Sequence, residues 1–145
     1  MNSSQKIKRI QLPVNDQEKP EIIGIVSTDP DYKLSLKINR KLHIKLKSSA
    51  PVITGDNEKD NHSYSKFTDP AAAPDSVIYL ISNRSGKGFL LKQLRNIDFI
   101  LLINGESLAV NISGITSRLR EIDTITAVFN IEGDNLKDKN LKYLP

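Results

Sequence analysis

The sequence predicts an α+β domain: a mostly antiparallel β-sheet with two or three helices packed chiefly on one face. Three observations carry that reading. The stretch Val77–Ile103, VIYLISNRSGKGFLLKQLRNIDFILLI, holds two apolar strand-length runs separated by a glycine-broken turn and a short apolar segment. No other window stays apolar for so long, so the core forms around it. Two further runs, Glu21–Ser27 and Thr124–Ile131, are rich in β-branched residues at strand length. Stripes at helical spacing lie between these runs.

The bulk numbers agree with one domain. The chain has 145 residues, 38% hydrophobic and 26% charged, with 6% aromatic content and no Trp. The absence of Cys excludes a disulfide framework, thiolate zinc and a Cys nucleophile together. Only His43 and His62 are available to a histidine metal site. The net charge of +4 is mild and compatible with anionic partners. No apolar run approaches the length of a membrane span, and the first residues lack the apolar core of a secretory signal. A cytoplasmic setting is the expectation, in which the Asn-x-Ser triplets at Asn2, Asn61, Asn83 and Asn111 are coincidental.

Taken in order, residues 1–20 are polar and Lys-rich and read as a flexible arm, with a short extended piece at Ile10–Val14. Residues 21–132 form the α+β domain, beginning with the strand Glu21–Ser27. Thr28-Asp29-Pro30-Asp31 is a helix-start signature: Asp29 as N-cap, Pro30 at the first helical position, Asp31 in the first turn. The next segment has two readings. The cap favours a helix to about Leu42, with Leu34, Ile38 and Leu42 as its stripe, followed by a strand over His43–Lys47. Strict alternation over Tyr32–Leu46 favours a hairpin turning at Asn39–Lys41.

Ser48–Pro74 carries three of its prolines at Pro51, Pro70 and Pro74, with Gly55 and a polar run, and reads as a loop with one short strand at Tyr64–Thr68. Val77–Ser82 is a strand, Asn83–Gly88 a break, and Phe89–Arg95 a short helix or turn. In the strand Ile97–Ile103, Ile97, Phe99, Leu101 and Ile103 share one face while Ile100 and Leu102 share the other. Apolar residues on both faces predict a central, doubly covered strand. After a turn at Asn104–Glu106, Ile115, Leu119 and Ile122 define a helix over Ser113–Ile122. Thr124–Ile131 is the last strand. Residues 133–145 form a polar tail that Leu136, Leu141 and Leu144 can dock.

Several groups of residues invite functional readings. Lys33, Lys37, Arg40, Lys41, Lys45 and Lys47, with His43, fall between Tyr32 and Ser49 with no acid among them. On a helix or a hairpin they form a basic face, a candidate contact for anions or nucleic acid. Ser85-Gly86-Lys87-Gly88 lacks the earlier glycine of a phosphate loop and its closing Ser or Thr, so it reads as a turn. His43, His62, Asp56, Glu58, Asp60 and Asp69 do not show zinc-type pair spacing, and Asp56–Asn61 lacks the glycine and Glu of a calcium loop. Neither a metal nor any other cofactor is expected. Asp98, at the head of an apolar strand, needs a partner, and Arg84, Lys87 or Arg95 can supply it. It has no evident catalytic mate, and the sequence holds no nucleophile elbow.

A family resemblance accompanies these readings. Tyr32-Lys33-Leu34 with Ile38-Asn39, Leu80-Ile81-Ser82-Asn83, Ile97-Asp98-Phe99, and Leu136-Lys137-Asp138-Lys139 followed by Asn140-Leu141 occur in an order that resembles the bacterial IPExxxVDY family over residues 21–145. The resemblance implies a fold and a bacterial cytoplasmic setting, but no activity. The family's Ile-Pro-Glu falls on Leu91-Lys92-Gln93 and its Val-Asp-Tyr on Ile97-Asp98-Phe99, so the proline, the carboxylate and the phenol are absent. A hydrogen-bonding structural role survives a Glu-to-Gln change, whereas a general-base role does not. Asn83, Gln93, Ile97, Asp98 and Phe99 therefore read as a structural signature. The leading functional expectation is a non-enzymatic binding or adaptor module with a protein partner. The first alternative is a nucleic-acid-binding accessory protein using the basic face, and the second an enzyme involving Asp98.

Overall fold

A computed structural model describes residues 19–55, 61–86 and 88–145. In chain order it contains β1 (Glu21–Ser27), α1 (Asp31–Leu42), β2 (Lys47–Thr54), β3 (His62–Ala73), β4 (Ser76–Ser82), β5 (Arg84–Ser85), β6 (Gly88–Phe89), β7 (Phe99–Asn104), α2 (Glu106–Ala109), α3 (Ile112–Arg120) and β8 (Ile125–Ile131). Short 3₁₀ turns occupy Lys92–Leu94, Gly133–Asn135 and Lys139–Tyr143. Six strands form one sheet in the order β2-β3-β4-β7-β1-β8, every neighbouring pair antiparallel. The α+β class and antiparallel sheet expected from the sequence are thus the fold observed.

Strand β7 sits between β4 and β1, and every residue from Phe99 to Ile103 is buried. Its pleat sends alternate side chains to opposite faces. Phe99, Leu101 and Ile103 join Ile23, Ile25, Ile78 and Leu80 beneath Leu34 and Ile38 of α1 and Ile115 and Leu119 of α3. Leu108 of α2 packs against the same cluster, so all three helices cover this face. Ile100 and Leu102 lie on the other face with Ile22 and Ile81. There Leu90 and Leu91, from the connection between β4 and β7, cover them together with Leu136. Leu141 and Leu144 pack alongside, so the tail lines the second core.

The structure corrects several local expectations. Of the two readings for Tyr32–Leu46, the favoured helix to Leu42 is the one observed, but the strand expected over His43–Lys47 begins only at Lys47. His43 instead ends α1 in the left-handed conformation, φ 58°, donating its N–H to the Asn39 carbonyl. The helix starts one residue later than the cap pattern implied: Pro30 is the N-cap residue and makes no side-chain cap bond. Asp29 turns away to bond Lys37 and Thr124.

The largest correction concerns Ser48–Pro74, expected as a loop with one short strand at Tyr64–Thr68. That strand lies within β3 (His62–Ala73), and Lys47–Thr54 is a strand paired with it. Residues 56–60 lie outside the described residues. This pair forms the sheet edge, with Pro51 inside a register shift between Ser49 and Val52. Proline lacks an N–H for the ladder and fits such a bulge on an edge strand. In β2 only Val52 and Thr54 are buried. Ile97 also departs from expectation. The strand begins at Phe99, and the Ile97 side chain lies over Gly24, which pairs with Ile100 on the second face. The arm expected over residues 1–20 lies outside the described residues, save for Lys19 and Pro20.

Candidate functional site

Asn83 meets the backbone of Ile97 and Asp98 where β4 leaves the sheet. Asn83 is fully buried and satisfies its polar groups on the returning chain. Its Nδ2 donates to the carbonyls of Leu94 at 2.8 Å and Ile97 at 3.0 Å, and its Oδ1 accepts from the Leu91 N–H at 2.8 Å. Its backbone N–H donates to the Asp98 carbonyl, and its carbonyl accepts from Leu90, each at 2.9 Å. One amide side chain thereby ties down a non-repetitive segment whose own backbone groups would be buried without partners. Between these anchors, β5 and β6 pair as a small ribbon, with Gly86 at φ +56° in its turn. Lys87 lies outside the described residues.

Asp98 is held from two sides. Its Oδ2 accepts the Ser27 N–H at 3.0 Å, and its Oδ1 accepts Arg84 Nε at 2.6 Å. Arg84 in turn donates through Nη2 to the Arg95 carbonyl and lies 5.0 Å over the Phe89 ring. Asp29 and Asp31 line the same small cavity, about 230 Å³, but Asp29 is bonded to Lys37 and Thr124. Those donors, Lys37 foremost, hold the Asp29 carboxyl below its ordinary 3.8. Gln93 lies in the 3₁₀ turn Lys92–Leu94. Its Oε1 accepts the Lys137 N–H at 2.8 Å, and its backbone N–H donates to Asp138. This residue fastens the C-terminal tail, and an amide serves that contact as a carboxylate would.

Two of the basic residues are paired. Lys37 pairs with Asp29 at 2.8 Å and Lys41 with Glu121 at 3.3 Å, both turned toward the start of β8 and the end of α3. The groove of about 680 Å³ that gathers Lys37, Arg40, Lys41 and His43 is also lined by Glu121 and Asp123. Lys33 and Arg40 project outward from α1, Lys45 lies in the link to β2, and Lys47 begins that strand. Beside Lys33 and Arg40, Tyr32 and Leu36 are 57% and 53% exposed.

A second basic constellation escaped the sequence reading. Lys92, Lys139 and Lys142 surround a cavity of about 380 Å³ against His62, Tyr64, Phe89 and Tyr143. These residues are scattered over four segments, and the Lys-rich composition of the tail was the one signal pointing to them. Among the described residues no group of His, Cys, Asp and Glu is arranged to hold a metal ion. His43 caps α1, and Asp69 accepts the N–H groups of Lys45 and Ala71, while Asp56, Glu58 and Asp60 lie outside the described residues. Among the described residues no helix is long and apolar enough to cross a membrane. No family model, curated protein or solved structure matches the chain.

Proposed function

We propose that the protein is a non-enzymatic binding or adaptor module of the bacterial cytoplasm, belonging to the IPExxxVDY family, and that its partner docks on the outer surface of α1. One observation carries the reading. Tyr32 and Leu36, one helical turn apart, are more than half exposed next to Lys33 and Arg40. Neither cation has an ion-pair partner among the described residues. An exposed apolar pair bordered by unpaired cations suits an acidic protein segment with apolar anchors. The polar signature residues support the non-enzymatic part, because the hydrogen bonds of Asn83 and Gln93 go to backbone groups or the tail and Asp98 is held by the Ser27 N–H and Arg84.

A photo-crosslinking residue placed at Leu36, with Thr126 on the opposite sheet edge as control, tests this in cells. The expected result is a protein adduct at position 36 that disappears in a Tyr32→Glu background and never forms at 126. Identical adducts from both positions sink the proposal.

Nucleic acid is the second reading, favoured by the lack of an ion-pair partner at Lys33, Arg40, Lys45 and Lys47 among the described residues. It requires binding that weakens steeply as salt rises. Flat titrations with RNA and DNA at low salt eliminate it.

A further inference from the structure

We propose that the cavity between the β2–β3 hairpin, β6 and the C-terminal 3₁₀ turn binds a small phosphorylated compound carrying an aromatic ring, a nucleoside phosphate being the class that fits. This site is separate from the α1 surface and does not depend on the partner proposed there.

Size comes first. At about 380 Å³ the cavity lies at the small end of ligand pockets, which run from about 300 to 1,000 Å³. The fold assembles it from distant pieces of chain. Gln93 and Asn140 secure one wall: Gln93 receives the Lys137 N–H, and Asn140 Nδ2 donates to the Leu90 carbonyl at 2.7 Å. One wall of the pocket is therefore fixed by a buried hydrogen bond at Asn140 and an exposed one at Gln93.

Charge is the second point. Lys92, Lys139 and Lys142 line the cavity, and no carboxylate lines it among the described residues. None of the three ammonium groups has an ion-pair partner there. The groove at the end of α1, by contrast, is neutralised by Glu121 and Asp123. Three lysines with no carboxylate partner among the described residues, Lys142 resting 5.2 Å over the Tyr143 ring, give the cavity a positive lining that suits a phosphate. The phenol of Tyr64 adds no opposing charge: burial pushes its pKa up, against a smaller opposite effect from its hydrogen bond to Thr54.

The ring requirement follows from the walls. Phe89 and Tyr143 line the same space as the lysines. Arg84 and Arg95 stand 5.0 and 5.9 Å over the Phe89 ring, and Lys142 Nζ stands 5.2 Å over the Tyr143 ring. An entering aromatic ring therefore meets aromatic carbon and cations together. Gly88 keeps one wall thin, since a Cβ there would lie 3.1 Å from the Tyr64 hydroxyl and 3.2 Å from His62 Nδ1. The Tyr143 hydroxyl accepts the Gly55 N–H at 3.4 Å and keeps its own proton for a ligand oxygen.

Isothermal titration of the full-length protein at low salt tests the site, with ADP, GDP, UDP and CDP as probes and with inorganic phosphate and adenosine as separate arms. At least one nucleoside diphosphate is expected to bind saturably and more tightly than either fragment. Lys139→Ala with Lys142→Ala, both exposed positions, is expected to weaken it about tenfold or more with the melting temperature unchanged. Gly88→Val, which fills the cavity from the wall, is expected to abolish binding in protein that still melts cooperatively. No saturable binding by any of the four, or equal affinity in the double-lysine variant, overturns the proposal. Phosphate alone binding as tightly as the diphosphates overturns its aromatic part, and adenosine doing so overturns its phosphate part.

Discussion

At the residue scale, the decisive side chain is Asn83. Replacing it by Ala leaves the Leu91 N–H and the Ile97 carbonyl buried without their partner, while the Leu94 carbonyl keeps the Ile97 N–H. Each unmet buried group costs about 1–3 kcal/mol, so Asn83→Ala is expected to lower stability by about 3–5 kcal/mol, read from the urea midpoint. A loss below 1 kcal/mol would mean that water replaces the amide. Asp29 makes a different, pH-dependent prediction. Its folded value lies below 3.8, so its contribution is complete above that value and disappears as pH falls through the lowered one. The stability gap between wild type and Asp29→Asn should hold steady from neutral pH to about pH 4 and close below it. A gap unchanged at pH 2 would assign the effect to hydrogen-bond shape and not to charge. The hydrogen bonds of Asn83 to Leu91, Leu94 and Ile97 were not legible from sequence, because these partners lie 8 to 14 residues further along the chain. Nor were the partners of Asp29, because Thr124 lies 95 residues away in sequence.

At the scale of elements, the long apolar patterns were readable and the polar edge was not. The β7 alternation and the Ile115–Leu119–Ile122 stripe correspond to buried positions because each faces a dense core. The β2–β3 hairpin lacks that signature: most of its β2 residues face solvent, and Pro51 reads locally as a strand breaker. An edge strand needs a neighbour's hydrogen bonds more than apolar side chains, and Lys47 and Pro51 also protect it from pairing with another chain. The end of α1 supplies the prediction for this scale. His43 adopts φ 58°, a conformation glycine occupies without a Cβ penalty. His43→Gly is expected to raise stability by up to about 1 kcal/mol in urea denaturation, offset in part by glycine's freer unfolded chain. A clear loss would reveal a packing role for the imidazole.

At the scale of the whole molecule, the sheet needs a cover on both faces. Three helices cover one, while the second depends on the β4–β7 connection and on the tail from Leu136 onward. Removing residues 133–145 is expected to lower the urea midpoint sharply and to induce binding of a hydrophobic dye, as Ile22, Leu90 and Leu102 lose their cover. The milder Leu136→Ala should cost about 2–3 kcal/mol. A truncated protein that unfolds at the original midpoint would show the second layer to be dispensable.

The chain's own pattern determined the α+β class, the central doubly covered strand and the helix that ends near Arg120, because apolar periodicity is local and records which faces leave water. Tertiary structure alone decided the edge hairpin, the pairing of Lys37 and Lys41 with Asp29 and Glu121, and the lysine-lined cavity. Each depends on polar groups that meet across long stretches of chain, and a polar residue's neighbours, unlike its hydrophobic period, leave no trace in the order of residues around it.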